Sequence, residues 1–286
     1  MQGLTWKEWR ESLSLVGLRN EDVIVLLRAF IDDSSDRHQK VLTVSGAVAS
    51  TYRQWSKLRI EWNKRLKRDG LRYFKSSEYS VLRGEFSVFA DPNKYPKPLG
   101  REAANLLRLD LEEIVHRIGV IGVSTCVPIQ TYQEFRAVVP GAAEVFNEDP
   151  AESALYSVVH ECVLMMQEDF PGSKIAFVCD STSAQERFTK VYFEYLRRHA
   201  PARDVIHGAL LPHLDDKKHP PLQVADMMAS ISREMATRYL QNPESPTPIQ
   251  RLEGSIYKIC TWNWDWMMDT LRKQPHLVPN VGDVIP

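Results

Sequence analysis

No two cysteines stand at Cys-x-x-Cys spacing. The four that are present, Cys126, Cys162, Cys179 and Cys260, are far apart and mostly flanked by apolar residues. That excludes a zinc ribbon or a dithiol redox motif and predicts reduced core thiols. Long apolar runs are also missing. The longest stretch without Asp, Glu, Lys or Arg, Ile118 to Gln133, carries Gly, Ser, Thr, Gln and Pro128 and is too short to span a bilayer. Residues Met1 to Glu8 lack a basic region followed by an apolar run, so no signal peptide is expected and the cytoplasm is the default location. Neither sign of charge is in excess: 36 Lys+Arg face 37 Asp+Glu, for a formal net charge of -1. Any nucleic-acid site must therefore be a local patch, and a membrane-surface role is not expected. There is no Gly-x-Gly-x-x-Gly, no phosphate-binding Walker loop and no Gly-x-Ser-x-Gly elbow, which removes nucleotide-fuelled and serine-hydrolase chemistry. His160-Glu161 does not open a zincin helix, because Leu164 occupies the second histidine position.

The chain has 286 residues, 43% hydrophobic and 26% charged, which is ordinary globular usage and long enough for a substantial core. Thr5-x-x-Glu8 has the form of a capping box and predicts a short helix through about Val16. Val23 to Asp32 reads as a buried strand ending in the acidic turn Asp32-Asp33-Ser34-Ser35-Asp36, and Val41 to Ala49 follows at hairpin distance. A helix is expected from about Tyr52 to Arg68, with Ser50 or Thr51 as cap, Trp55, Leu58, Trp62 and Leu66 on one stripe, and Gly70 as stop. Leu71 to Lys75 is a short strand candidate, and Asp91 to Pro98 is a loop.

Further on, helices are expected over about 100–118, 151–170, 183–199 and 222–240. Strands are expected over 120–127, 175–179 and 205–211. A hairpin followed by alternating strands and helices predicts an α/β protein, a mixed sheet with helices on its faces. The domain expectation is an N-terminal helical addition over 1–22, a core over 23–241, and a C-terminal extension and tail over 242–286.

Three acids share a context. Asp32 ends the first strand, Asp180 ends a later one, and Asp226 sits in the first turn of the last core helix. Strand ends and neighbouring helix starts converge on one edge of an α/β sheet, where ligand sites form. Carboxylates meeting there repel unless a cation neutralises them, and Mg²⁺ or Mn²⁺ is the natural partner for oxygen ligands. Asp33 is a further candidate ligand, Glu78 could complete the carboxylate set, and Asp36 reads as a solvated turn. Taken singly, each acid is better explained by turn or helix-start preferences; it is their shared position that points to a site.

The runs Ala29-Phe30-Ile31-Asp32-Asp33-Ser34, Tyr73-Phe74-Lys75-Ser76-Ser77-Glu78, Phe177-Val178-Cys179-Asp180 and Pro221-Leu222-Gln223-Val224-Ala225-Asp226 occur in this order. In that order they resemble the DUF3800 family over roughly residues 23–240. The resemblance implies an RNase H-like fold with a divalent-metal nuclease centre, often linked to phage and mobile-element biology. It implies Asp32, Asp180 and Asp226 as catalytic metal ligands, Asp33 and Glu78 as supporting acids, and Gln223 orienting substrate or a ligand. Two positions depart from the family pattern. Ser35 stands where its turn usually has Gly, or one position later, and Lys75 stands where it usually has His. A lysine there could hold a phosphate instead.

The expected function is a metal-dependent nuclease or related phosphodiester-processing enzyme acting on DNA or RNA. Two metal ions about 4 Å apart would activate water and stabilise the leaving oxygen. The rival expectation is a catalytically weak nucleic-acid- or protein-binding component of a phage-defence or mobile-element system. A homo-oligomer or a protein partner is compatible with either. Lys57, Arg59, Lys64, Arg65, Lys67 and Arg68, with Arg72 and Lys75 beyond, could contact phosphates without reading sequence; a solvated basic helix face explains the same pattern. The loop with His207, His213 and His219 around Asp215-Asp216-Lys217-Lys218 reads as an ordinary connection or a lid. Trp262-x-Trp264-x-Trp266, beside Met267 and Met268, reads as core packing or a subunit contact.

Overall fold

The computed structural model describes residues 26–35, 42–179, 182–207, 214–241 and 257–273. The helix expected over Thr5 to Val16 lies outside them, as do Asp36, Asp180 and His213. Two long strands, β1 (Leu26–Ser35) and β2 (Leu42–Thr51), pair antiparallel with Asp32 opposite Gly46. Strand β3 (Ile121–Pro128) runs antiparallel to β2, and β4 (Lys174–Cys179) runs parallel to β1 on its other side. The sheet closes at the far edge with β5 (Tyr257–Thr261), parallel to β3, giving the order β4-β1-β2-β3-β5 among the described residues. The protein is thus a mixed α/β protein. The strand expected over 205–211 is described only to His207 and makes a single parallel bridge, Ile206 to Ile175.

Helix α1 (Tyr52–Arg68) forms where expected. Thr51 and Gln54 build a reciprocal capping box, and Trp55, Leu58, Trp62 and Leu66 are its buried residues. Burying either leucine stabilises by about 1.5–3 kcal/mol relative to leaving it in water. The expected strand over Leu71 to Lys75 is replaced by an extended segment leading into the short α2 (Ser76–Val81) and a 3-10 turn, Gly84–Ala90. Helix α3 (Leu99–Ile118) ends at Gly119, whose φ of 75° is the left-handed conformation that lets the last carbonyls be capped.

Two helices that the sequence reading did not anticipate, α4 (Ile129–Val138) and α5 (Ala142–Val145), follow β3. The remainder are α6 (Pro150–Asp169), α7 (Thr182–Arg198), α8 (Pro220–Gln241) and α9 (Trp264–Arg272).

Alternation along β1 divides the core into two layers. Phe30 faces the layer with Val48, Trp62, Phe74, Leu107 and Leu222, built by α1, α3 and α8. Leu27, Ala29 and Ile31 face the layer with Val159, Cys162, Phe177 and Tyr195, built by α6 and α7. A third cluster unites Tyr132, Phe135, Phe146, Trp262 and Leu271; of the tryptophan-rich segment, Trp262 is buried there, Trp266 packs against it half-buried, and Trp264 is exposed. Strand β5 belongs to the segment set apart from the sequence as an extension, yet it forms a sheet edge. The four cysteines are thiols, three of them buried.

Candidate functional site

Helix α8 lies across the α1/α3 face of the sheet. Its Ala229 sits over Gly46 of β2, so closely that a Cβ on Gly46 would lie 3.1 Å from the Ala229 Cβ. Ser232, three residues on, hydrogen-bonds through its hydroxyl to Ser124 of β3 at 3.0 Å. Asp32, Gly46 and Ser124 form one row across β1, β2 and β3. Three helical residues rise about 4.5 Å, close to the strand spacing of about 4.8 Å. Stepping back three residues from Ala229 therefore brings Asp226 toward β1, at the row of Asp32. Both acids are buried, at 7% and 8% exposure.

The segment before α2 is zipped to side chains rather than to a strand. Arg72 N–H donates to Glu85 Oε2 at 2.8 Å, Phe74 N–H to Gln223 Oε1 at 3.0 Å, and Ser76 N–H to Asp226 Oδ2 at 2.6 Å. Alternate amides of an extended chain point the same way, and here Glu85 of the 3-10 turn and two residues of α8 supply the acceptors that a neighbouring strand would have offered. This is why Leu71 to Lys75 is extended without being a strand. Gln223 is engaged at both ends of its amide. Its Oε1 also accepts from Trp62 Nε1 at 2.8 Å, and its Nε2 donates to the carbonyls of Asp216 and Lys217 at 3.0 and 3.3 Å.

Lys75 lies between the anchored amides of Phe74 and Ser76. Its ammonium pairs with Asp216 Oδ2 at 2.6 Å and lies 4.0 Å from Asp226 Oδ1. Burial pulls this ammonium toward losing its proton. The carboxylates of Asp226, Asp32 and Asp216 outweigh that pull, and the net result holds Lys75 charged, its pKa raised above the ordinary lysine value. Burial pushes the Asp226 carboxyl up, against the opposing pull of Lys75 and the Ser76 donors. The arrangement is two buried carboxylates around one ammonium, a site whose chemistry suits positive charge.

Other expected site residues fall elsewhere. Asp33 follows Asp32 by one residue and so faces the opposite side of the sheet, where its Oδ2 accepts from Arg187 of α7 at 2.6 Å. Glu78 accepts from Tyr73 Oη at 3.0 Å and from Glu85 N–H at 2.8 Å, bracing α2 against the 3-10 turn. Arg65 is committed to Asp69 and Asp110 at 2.5 and 2.6 Å, on the side of α1 that meets α3. Arg68 is exposed in the last turn of α1. Asp180 lies outside the described residues. The structure thus brings together Asp32, Asp226, Lys75 and Gln223. Among the described residues, no group of three or more His, Cys, Asp and Glu is arranged to hold a metal ion.

Two contributors escaped the sequence reading: Asp216, which takes the Lys75 ammonium, and Ser76, whose amide fixes Asp226. The signal for Asp216 was its place in a charged turn four residues before the Pro220-Pro221 start of α8. Arg59, on the exposed face of α1, acts electrostatically on His219 at the entry to α8, so part of the basic face adjoins this turn. No helix of the described residues is long and apolar enough to cross a membrane. No family model matches the chain, and no curated protein matches it in sequence.

Proposed function

We propose that the chain is a divalent-metal-dependent nuclease or related phosphodiester-processing enzyme with an RNase H-like core of the DUF3800 type. The observation that carries this reading is that two buried carboxylates, Asp32 from β1 and Asp226 from α8, both act on the one Lys75 ammonium. The β1-β2-β3 meander with β4 parallel to β1 is compatible with such a core.

The chemistry of the donor set suits a hard cation, since carboxylate oxygens are what Mg²⁺ and Mn²⁺ prefer. Asp32 and Asp226 would hold it, with Asp180 as the third acid of the sequence motif. A divalent cation held by these carboxylates would supply Lewis-acid chemistry for phosphodiester hydrolysis. Ser76 N–H fixes Oδ2 of Asp226, and Oδ1 is the oxygen nearer Lys75. Gln223 acts as a positioning residue by pinning both Phe74 and the 216–218 turn. Of the basic residues on α1, Arg59 is better placed than Arg65 to meet a nucleic-acid backbone, because Arg65 already holds two carboxylates.

The test is Mn²⁺- and Mg²⁺-dependent cleavage of single- and double-stranded DNA and RNA by the wild type and Asp226→Asn. Asparagine keeps an acceptor for Ser76 N–H while removing the charge. The expected result is cleavage by the wild type and a loss of at least a hundredfold in the variant. A folded variant that cleaves as the wild type does would refute the assignment. The Lys75 ammonium, which already supplies positive charge to the acids, favours one second reading: a nucleic-acid- or protein-binding component that keeps the acidic cleft without catalysis. Wild-type protein that cleaves none of the substrates would favour that reading.

A further inference from the structure

Resting on the metal reading above, we infer that Lys75 is a built-in competitor for the cation of this site and that Asp216 is its parking place. The ammonium is bonded to Asp216 at 2.6 Å and is only 4.0 Å from Asp226 Oδ1, so a small swing of a flexible four-carbon stem carries it from one carboxylate to the other. The backbone on either side does not share that freedom. Phe74 N–H is held by Gln223 and Ser76 N–H by Asp226, at 3.0 and 2.6 Å. The backbone that carries the parking place is also held, because Gln223 Nε2 donates to the carbonyls of Asp216 and Lys217.

A second position for the ammonium, reached without moving the backbone around it, would make a charge switch. Bonded to Asp216, Lys75 stands 4.0 Å from Asp226 and neutralises it only in part, which leaves charge for a divalent ion; turned fully toward Asp226, it would neutralise that carboxylate and exclude the ion. Lys75 thereby sets the concentration of free metal at which the site fills.

The experiment is isothermal titration of the full chain with MnCl₂ alone, without nucleic acid, for the wild type, Lys75→Met, Lys75→Gln, Asp216→Asn and Asp226→Asn, each checked for folding by circular dichroism. Removing a unit charge about 4 Å from the binding carboxylate is expected to tighten Mn²⁺ binding roughly tenfold or more in Lys75→Met. Lys75→Gln, which keeps a polar contact to Asp216, is expected to move the same way. Asp216→Asn frees the ammonium to move onto Asp226 and is expected to weaken binding roughly tenfold. In a Lys75→Met background the same Asp216 change is expected to weaken binding less than it does with Lys75 present, the remainder being the direct loss of its charge near Asp226, which separates an action through Lys75 from direct ligation.

Binding seen only in the Lys75 variants, and abolished there by Asp226→Asn, would also support the switch. Wild-type binding that depends on Asp226 but is not tightened in either Lys75 variant would overturn the switch and leave the metal reading standing. Binding absent from every protein, or indifferent to Asp226→Asn, would overturn both.

Discussion

Replacing Gln223 by leucine is expected to destabilise the fold by about 3–5 kcal/mol, because this one amide serves four partners from three parts of the chain. Its Oε1 takes the indole N–H of Trp62 and the backbone N–H of Phe74, both buried, and its Nε2 reaches the carbonyls of Asp216 and Lys217. Leucine preserves the bulk and most of the apolar burial, so the loss is confined to polar groups. Two buried donors left without acceptors cost about 1–3 kcal/mol each. The carbonyls of the 216–218 turn are nearer solvent and recover part of their bonding from water.

The measurement is urea unfolding followed by tryptophan fluorescence. At a slope of about 3 kcal/mol/M, the expected loss lowers the midpoint by roughly 1 M or more. Gln223→Glu is a sharper control. It retains acceptors for Trp62 and Phe74 but turns an oxygen toward two carbonyls, so it should also be less stable than the wild type. A Gln223→Leu protein within about 1 kcal/mol of the wild type, below the cost of even two orphaned donors, would refute the bracing role.

Two other outcomes follow from the same geometry. Gly46→Ala places a Cβ 3.1 Å from the Ala229 Cβ and 3.3 Å from its Cα, so α8 must move. A loss of about 1–3 kcal/mol is expected, with partial recovery in the Gly46→Ala/Ala229→Gly double variant; strict additivity of the two changes in a double-mutant cycle would contradict the close approach. His160 and His199, with ring centroids 5.3 Å apart, are hydrogen-bonded to Tyr195 and Tyr156 at 3.0 Å. Burial lowers the pKa of both, with Lys258 adding to the effect at His160 against Glu161, and with His160 and Arg198 adding to it at His199. A histidine with a lowered folded-state pKa contributes its full stability above its unfolded value of about 6.5 and loses it as pH falls below that value. The urea midpoint should therefore drop between pH 7.5 and pH 5 by more in the wild type than in a His160→Gln variant; equal drops would exclude the pair as the cause.

Much of the architecture was legible because it is local. The stripe Trp55, Leu58, Trp62, Leu66 with Thr51 and Gln54 ahead of it predicts α1 without reference to any other element. The apolar run of β1 and the apolar segment of β2 at hairpin distance predict their pairing. Asp32 and Asp226 were identifiable as site candidates from an expected strand end and helix start, although β1 runs on to Ser35 and α8 begins at Pro220, which puts Asp32 inside the strand and Asp226 in the second turn of the helix.

What the tertiary structure alone decided concerns groups whose partners are distant in sequence. Leu71 to Lys75 has the composition of a strand, but the Phe74 amide and that of Ser76 just beyond find acceptors on Gln223 and Asp226, about 150 residues away, and Arg72 N–H finds Glu85, so no ladder forms. Asp33 adjoins Asp32 in sequence, and a period of two sends it to the other face. β5 pairs with β3 across more than a hundred residues of chain, a parallel contact that local pattern does not encode. Lys75 alone reads as one more basic residue. Only when the fold brings Asp32, Asp216 and Asp226 around it does its charge become the centre of the site, because electrostatic energy depends on distance and burial rather than on order along the chain.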